Sequence, residues 1–337
     1  MDLPPEASRY VTEWLGPGWR ATPLAGDASV RAYYRVTTPG GKTYMLAYYP
    51  EEVRPQLRRF LRAYDAVAAQ APVPEVLQSC DLAVLQFDAG DRTLFDVLHE
   101  DREEGIRLYR AAIDLLAGFQ GGRTSRPPRE ADETSALLNP PFTADFFFSE
   151  LQMAREFYVE KLMGFADGEE LQSMMRTICD DIARHPYVLC HRDFHGQNIH
   201  ITNDELYLID YQDLRMGPDT YDMASLLRDR GVARILGDET ELELLGHYRH
   251  RVSADDGIRR RYFETLLQRS IKILGTFSKQ PIVRGRTHYL DFIPATLESI
   301  QRCIDELPAY ARLRDIFPLR FSLEQARERA RSLYGET

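Results

Sequence analysis

Cysteine is scarce in this chain. The 337 residues contain four, Cys80, Cys179, Cys190 and Cys303, widely scattered, with no Cys-x-x-Cys pair and no metal-ligand spacing. A reduced, cytoplasmic protein is the economical reading. No run approaches eighteen consecutive apolar residues, so no transmembrane helix is predicted. The opening Met1-Asp2-Leu3-Pro4-Pro5-Glu6 has neither the basic region nor the apolar stretch expected of a signal peptide. Positive charge is in deficit: 42 Lys+Arg against 52 Asp+Glu give a formal net charge of −10. That balance argues against a general nucleic-acid binder and against a protein of anionic membranes, since both need a positive field. Internal repeats and low-complexity segments are also missing. What remains is an ordinary soluble composition, 44% hydrophobic and 28% charged. At roughly 150 residues per domain, the length allows about two domains.

The first ninety residues read as strands around one helix. Ala32–Thr37 is rich in β-formers, Thr38-Pro39-Gly40-Gly41 supplies a turn, and residues 43–49 follow as a second run, so the two form a hairpin. Between Glu51 and Gln70 the period becomes helical. Leu57, Phe60, Leu61, Tyr64, Val67 and Ala68 define an apolar face, and Pro72 and Pro74 stop the helix. Val76-Leu77 and residues 82–87 predict two further short strands. Asp88-Ala89-Gly90-Asp91 is turn chemistry at a change of style, and divides the chain into a β-rich part, 1–89, and a mainly helical part, 90–337. Within the helical part, Tyr187–Cys190 leads into a polar loop. Ile199-His200-Ile201 and residues 206–209 then flank the turn Thr202-Asn203-Asp204-Glu205, and helices return at Tyr221. This is an α+β arrangement, with a site expected in the cleft between a small lobe and a larger one.

The polar loop carries the chemistry. It reads His191-Arg192-Asp193-Phe194-His195-Gly196-Gln197-Asn198, and twelve residues on, an apolar strand ends in Asp210. Asp193, Asn198 and Asp210 therefore stand at the ends of short strands that can hold them around one point. Phosphoryl transfer wants such a set: a carboxylate to position or deprotonate an attacking hydroxyl, and hard oxygen ligands for Mg²⁺ on nucleotide phosphates. The H-R-D-x-x-x-x-N spacing followed by a strand ending in Asp is the catalytic pattern of kinase-fold enzymes. A polar hairpin with solvated carboxylates accounts for either half alone, but poorly for the two together.

His191-x-Asp193-x-x-His195-x-x-Asn198, then Ile209-Asp210, Gly217-Pro218 and Tyr221-Asp222, resembles the aminoglycoside phosphotransferase superfamily. Tyr211-Gln212 stands where a protein kinase has Phe-Gly, there is no A-P-E segment, and the short link after Asp210 leaves no room for a long activation loop. Within the superfamily the chain is most similar to the anomeric amino-sugar kinases of cell-wall recycling, which phosphorylate N-acetylmuramate and N-acetylglucosamine at the C1 hydroxyl. The segments that carry this likeness include Gly26-Asp27-Ala28-Ser29, Arg31, Tyr33 and Arg35, residues 73–77, Gly90-Asp91-Arg92-Thr93, Arg155-Glu156-Phe157-Tyr158, and Asp210-Tyr211-Gln212-Asp213 through Asp229. The likeness runs from about Trp19 to about Arg249. It implies a bilobal protein-kinase-like fold, ATP and Mg²⁺ as cofactors, a small-molecule sugar as partner, and a monomer in the cytoplasm.

It also implies roles. Asp193 aligns and deprotonates the hydroxyl, Asn198 and Asp210 hold Mg²⁺, and Gly26, Asp27, Ala28 and Ser29 form a hairpin over the phosphates. His191 stands in the catalytic loop as a structural imidazole, as does His195, and Asp222 accepts hydrogen bonds from that loop's backbone. Residues 84–88, with Gln86 and Asp88, form the hinge that meets adenine. The usual strand Lys and helix Glu are missing, because the third strand has Ala47 near the expected position. Arg31, Tyr33 and Arg35 point to one face of the second strand at period two, so Arg31 or Arg35 takes over the Lys role, with a surface Arg as the alternative. A zinc site from His191, His195 and His200 is discounted, because nothing completes the set. Cys190 abuts the loop but faces an apolar strand and reads as core.

For the sugar, Glu150, Arg155, Phe157 and Tyr158 lie in an aromatic and charged cluster with Phe146-Phe147-Phe148, and packing alone is the competing reading. Arg228, with Arg230, is placed to receive a lactyl carboxylate, or else lies on a solvated helix face. The Arg-rich C-terminus, interspersed with Glu324 and Glu328, reads as a solvated helix. The expected function is an ATP-dependent kinase for the anomeric hydroxyl of an N-acetylated amino sugar. An aminoglycoside, glucosamine or other small-alcohol kinase, and a nucleotide-binding pseudokinase, are the alternatives.

Overall fold

The computed structural model describes residues 3–24, 31–121, 139–165 and 168–334. Its first element is one the sequence reading did not anticipate: helix α1 (Pro5–Leu15), which opens on a proline at its first turn. Only Ala7 and Val11 along it are fully buried, so the apolar signal is two residues wide and easily missed. Strand β1 (Arg20–Pro23) is likewise unanticipated, being an edge strand with mostly exposed side chains. The predicted hairpin forms as β2 (Ala32–Thr37) and β3 (Thr43–Tyr48). A short 3₁₀ turn leads into α2 (Arg54–Val67), and β4 (Val76–Ser79) and β5 (Ala83–Phe87) complete a five-stranded sheet in the order β1-β2-β3-β5-β4. Every neighbouring pair in it is antiparallel.

The sheet's two faces divide the labour. Register pairs Tyr34 with Leu46, and Leu46 with Leu85. This row joins Val36, Ala83 and the two buried residues of α1 in one apolar cluster, with Trp14 and Trp19 packed on its edge. On the opposite face the same register pairs Tyr33 with Ala47, and Met45 with both Arg35 and Gln86. Alternation along each strand makes this separation obligatory.

Beyond β5 come α3 (Leu94–Glu100), α4 (Arg102–Gln120), α5 (Ala144–Ala154), continued by a π-helical stretch (Arg155–Leu162), and α6 (Glu169–Ile182). Then follow β6 (Tyr187–Cys190), the hairpin strands β7 (Ile199–Thr202) and β8 (Glu205–Leu208), and β9 (Arg215–Pro218). The chain ends in α7 (Tyr221–Leu227), α8 (Val232–Arg251), α9 (Ile258–Arg284), α10 (Ile293–Glu306), α11 (Leu313–Ile316) and α12 (Leu323–Tyr334).

The chain forms two compact units. One contains Met1–Gly121 together with the returning segment Asp193–Leu214, and the other contains Pro140–Arg192 and Arg215–Thr337. The turn at 88–91, expected as a boundary, lies inside the first unit. There the hairpin β7–β8 is fastened to it: Ile201 N–H donates to Arg92 O at 2.8 Å, His200 Nδ1–H to Gly90 O at 2.7 Å, and Thr202 Oγ1 to Ala89 O. In the second unit, β6 pairs with β9 antiparallel, a strand the sequence reading left unassigned because Arg215-Met216-Gly217-Pro218 has no alternation. The long helix α9 packs on α5, α7 and α10. Cys190 is fully buried in this unit, as its strand position implies.

Candidate active site

The hairpin β7–β8 turns on Asn203 and Asp204, both with positive φ, 54° and 62°. That conformation is the signature of the two-residue turn whose twist suits a hairpin, and Asn and Asp tolerate it best after Gly. The turn fixes the register Ile199↔Leu208, so the residues just outside the strands, Asn198 and Ile209-Asp210, emerge together at the open end. Ile209 N–H donates to Asn198 O at 3.0 Å. Twelve residues of sequence separation thus close to adjacency.

The loop before β7 is tied to itself. His195 N–H donates to Asp193 O at 3.1 Å, and Asn198 N–H to His195 O at 2.9 Å. Asn198 Nδ2 also donates to Asp193 O at 2.9 Å, which leaves the amide oxygen as the end available to a ligand. Gly196 permits a close approach: a Cβ there would sit 2.9 Å from Phe95 N and 3.1 Å from Phe95 Cα. Asp193 and Asp210 are both exposed. Asp210 holds a left-handed backbone, φ 62° and ψ 35°, uncommon outside Gly and enriched for Asp. Gln212 Nε2 donates to its Oδ1 at 2.5 Å.

A cavity of about 480 Å³ opens in this unit. Arg31, Tyr33 and Met45 line it from the sheet's second face, Gln86 and Phe87 from β5, and Asn198 and Asp210 from the hairpin. Of the residues assigned to nucleotide and metal from the sequence, the cavity brings together Arg31, Gln86, Asn198 and Asp210, and leaves Arg35 and Asp88 outside its lining. Gly26, Asp27, Ala28 and Ser29 lie outside the described residues.

The two arginines of β2 and its approach separate clearly. Arg35 is committed to carboxylates: Nε and Nη2 donate to Asp88 at 2.7 and 3.2 Å, while Nη1 and Nη2 donate to Asp91 at 2.8 Å each. Those hydrogen bonds raise the Arg35 pKa and lower that of Asp91. Asp88, expected at the adenine hinge, serves instead as this clamp, and its Oδ1 also accepts from Gly90 N–H at 3.1 Å. Arg31 lies over the Tyr33 ring, 6.0 Å from its centroid, and hydrogen-bonds Tyr49. Burial works against its charge, yet Tyr33, Tyr49 and Asp210 more than offset that, so its pKa is raised. Tyr49 is a residue the sequence reading did not single out; only cross-strand register reveals it.

In the second unit, the backbone just before Asp193 is fixed by one side chain. Asp222 is fully buried at the start of α7, and its two oxygens accept from His191 N–H at 2.7 Å and Arg192 N–H at 3.0 Å. Arg192 sits at φ 80°, a conformation sparsely populated for a non-Gly residue and held here by that bond. His191 is wholly buried.

The residues expected to recognise sugar each have partners within the second unit. Glu150 accepts from Lys272 at 2.7 Å and from Gln268 at 3.0 Å. Arg155 pairs with Glu160 at 3.1 Å. Phe157 is buried, with Lys161 and Lys279 over its ring. Tyr158 is packed on Phe317 and donates its hydroxyl to Pro318 O at 2.6 Å, so it is a core residue rather than a stacking platform. Arg228 is anchored on Asp238 and the buried Glu241. Lys272 and Gln268, both on α9, were missed because nothing in sequence marks a long helix's polar stripe as facing Glu150.

Residues 20–262 match the family described as phosphotransferase enzyme family, APH. Among curated proteins, the N-acetylmuramate/N-acetylglucosamine kinase of Pseudomonas putida is 28% identical over 322 residues, covering 89% of this chain and 88% of the relative. The protein of the same name from Pseudomonas aeruginosa is 26% identical over 326 residues, covering 91% of each. Among solved structures, a Plasmodium vivax ethanolamine kinase aligns with a TM-score of 0.61 at 13% identity, covering 89% of this chain and 88% of its own. An ADP-bound aminoglycoside phosphotransferase aligns at 0.59 and 15% identity, covering 89% and 99%. At such identities the structural likeness shows a shared kinase-like fold.

Proposed function

This chain belongs to the phosphotransferase enzyme family, and from that membership we propose that it is an ATP-dependent kinase for the anomeric hydroxyl of an N-acetylated amino sugar, N-acetylmuramate or N-acetylglucosamine. The carrying observation is the cavity in which Asn198 and Asp210 meet Arg31, Tyr33 and the β5 residues Gln86 and Phe87. The amino-sugar assignment rests on the relatives named for that activity, aligned over about nine-tenths of the chain.

The donor set suits a hard divalent cation. Asn198 offers an amide oxygen and Asp210 a carboxylate, both hard oxygen donors. Mg²⁺ held there would neutralise charge on the nucleotide phosphates. Residues 84–87 lie in β5, between β3 and β4, and Gln86 and Phe87 on the cavity wall mark where the adenine would sit. Asp193, exposed and carried by the hydrogen-bonded loop, takes the proton from the C1 hydroxyl as that oxygen attacks the terminal phosphorus and ADP departs. An anomeric hydroxyl is a stronger acid than an ordinary alcohol, so a modest carboxylate base suffices. Asp222 acts indirectly, by fixing the two peptide units before Asp193. Glu150, Arg155, Phe157 and Arg228 remain the proposed sugar contacts, and Tyr158 is assigned to packing. Dependence on ATP and a soluble substrate fits a cytoplasmic enzyme of cell-wall recycling. Among the described residues no helix is long and apolar enough to cross a membrane.

The test is a coupled ADP-release assay with Mg-ATP across N-acetylmuramate, N-acetylglucosamine, glucosamine, glucose and an aminoglycoside, with Asp193→Asn as control. Turnover of an N-acetylated sugar, and none of its 1-O-methyl glycoside, is the expected result. Turnover of glucosamine or the antibiotic alone would retain the chemistry and reject the substrate. Nucleotide binding with no turnover of any sugar would favour a pseudokinase.

A further inference from the structure

The strand position where kinase folds place a phosphate-binding Lys is occupied by Ala47, buried and without a functional side chain. Register shows what lies around it. Ala47 pairs with Tyr33, and Tyr48 with Ala32, so continuing the ladder by one residue sets Tyr49 opposite Arg31. Directly opposed residues of an antiparallel pair share a face. Arg31, Tyr33, Ala47 and Tyr49 are therefore neighbours on the face that lines the cavity, with Arg31 one cross-strand diagonal from Ala47. A diagonal of roughly 7–8 Å is within reach of an arginine side chain. The absence of bulk at Ala47 leaves the guanidinium that path.

We propose that Arg31, braced by Tyr49, replaces the missing Lys–Glu pair: Arg31 supplies the positive charge to the nucleotide phosphates, and the Tyr49 hydroxyl takes the orienting role of the helix carboxylate. This rests on the kinase reading above. Arg35, the other candidate, has its donors divided between Asp88 and Asp91. Arg31 lines the cavity together with Asp210 and Asn198, whereas Tyr49 is 1% exposed and contacts the site through Arg31. Burial pushes the Tyr49 hydroxyl far above its ordinary pKa, so it stays neutral and does not compete for the phosphate charge that Arg31 must meet. An acid in its place would hold Arg31 more tightly and reduce the net positive charge offered. A planar fork is also better matched than an ammonium to phosphate oxygens approached from the side.

The role separates from mere structure by ligand charge. Equilibrium binding of ATP and of adenosine is measured by calorimetry for wild type, Arg31→Ala, Arg31→Lys and Tyr49→Phe, each checked for an unchanged far-UV spectrum. Arg31→Ala should weaken ATP by about tenfold or more, the scale of a lost charge-assisted hydrogen bond, while adenosine affinity stays within about twofold. Tyr49→Phe should shift ATP in the same direction by a smaller factor, and Arg31→Lys should recover part of the loss. Equal losses for ATP and adenosine, or no loss for either in Arg31→Ala, overturn the assignment. Wild-type protein that binds no ATP overturns the kinase reading itself, and so distinguishes the two failures.

Discussion

Replacing Asp222 with Asn removes one charge and turns one acceptor into a donor, with almost no change of volume. In the native protein both carboxylate oxygens are occupied, by His191 N–H at 2.7 Å and Arg192 N–H at 3.0 Å, at a fully buried site. Hydrogen bonds to a charged group contribute about 1.5–3 kcal/mol each. The amide can keep one acceptor bond but faces the second N–H donor to donor. The expected loss is therefore one such bond plus some repulsion, about 2–3 kcal/mol. At about 2–4 °C per kcal/mol for domains of 150–250 residues, the melting temperature should fall by roughly 5–10 °C. Arg192, at φ 80°, is the residue most ready to relax once released, and Asp193 follows it directly in the chain. If the same free energy appears in the positioning of that carboxylate, kcat falls about thirtyfold to a hundredfold, at about 1.4 kcal/mol per decade. ATP affinity should change little, since the cavity lies wholly in the other unit. Steady-state kinetics well below the variant's melting temperature, paired with calorimetric ATP binding, test this. An Asp222→Asn enzyme with wild-type kcat refutes the positioning argument, and one that loses ATP affinity in proportion to kcat refutes its locality.

Other perturbations follow the same logic. Asp88→Ala should destabilise by about 1.5–3 kcal/mol in chemical denaturation, because the half-buried Arg35 loses its two bonds to the buried Asp88 and keeps only those to Asp91, whereas Asp91→Ala, at a carboxylate 76% exposed, should lose no more than about 1. Gly196→Ala must push the loop away from Phe95 and should lower kcat well before it lowers stability; a wild-type rate would show that the loop has slack. Burial alone would raise the Glu264 carboxyl, but hydrogen bonds from His185 and Arg260 outweigh it and hold the group below its ordinary value. Its contribution is thus complete above about pH 4.5 and is lost as pH falls through the lower folded value. The melting-temperature gap between wild type and Glu264→Gln should therefore narrow between pH 6 and pH 3, and a gap that widens would reverse the sign.

Local pattern was enough where neighbours in sequence are also neighbours in space. The run Ala32–Thr37, its turn and the run after it could form only a hairpin, and the segment 199–209 likewise. Because a two-residue turn fixes pairing, the approach of Asn198 to Asp210 was implicit in sequence spacing. Helix α1 and strand β9 were not legible, since two buried residues in eleven, or four residues without alternation, fall below any periodic signal. The aromatic and charged cluster around 146–158 was visible as composition, but composition has no direction: Tyr158 points into packing, and Glu150 toward a lysine 122 residues away.

The sequence alone determined the reaction class, because phosphoryl transfer needs particular residue types at spacings short enough for one loop and one hairpin to enforce. Which partners the two arginines meet was decided only by tertiary structure. Arg31 and Arg35 are equivalent by period-two pattern, and they diverge because β5 carries Asp88 toward one while the register of β3 brings Tyr49 toward the other. A strand's own sequence says which side chains share a face; the charge each one meets there is set by the strand beside it.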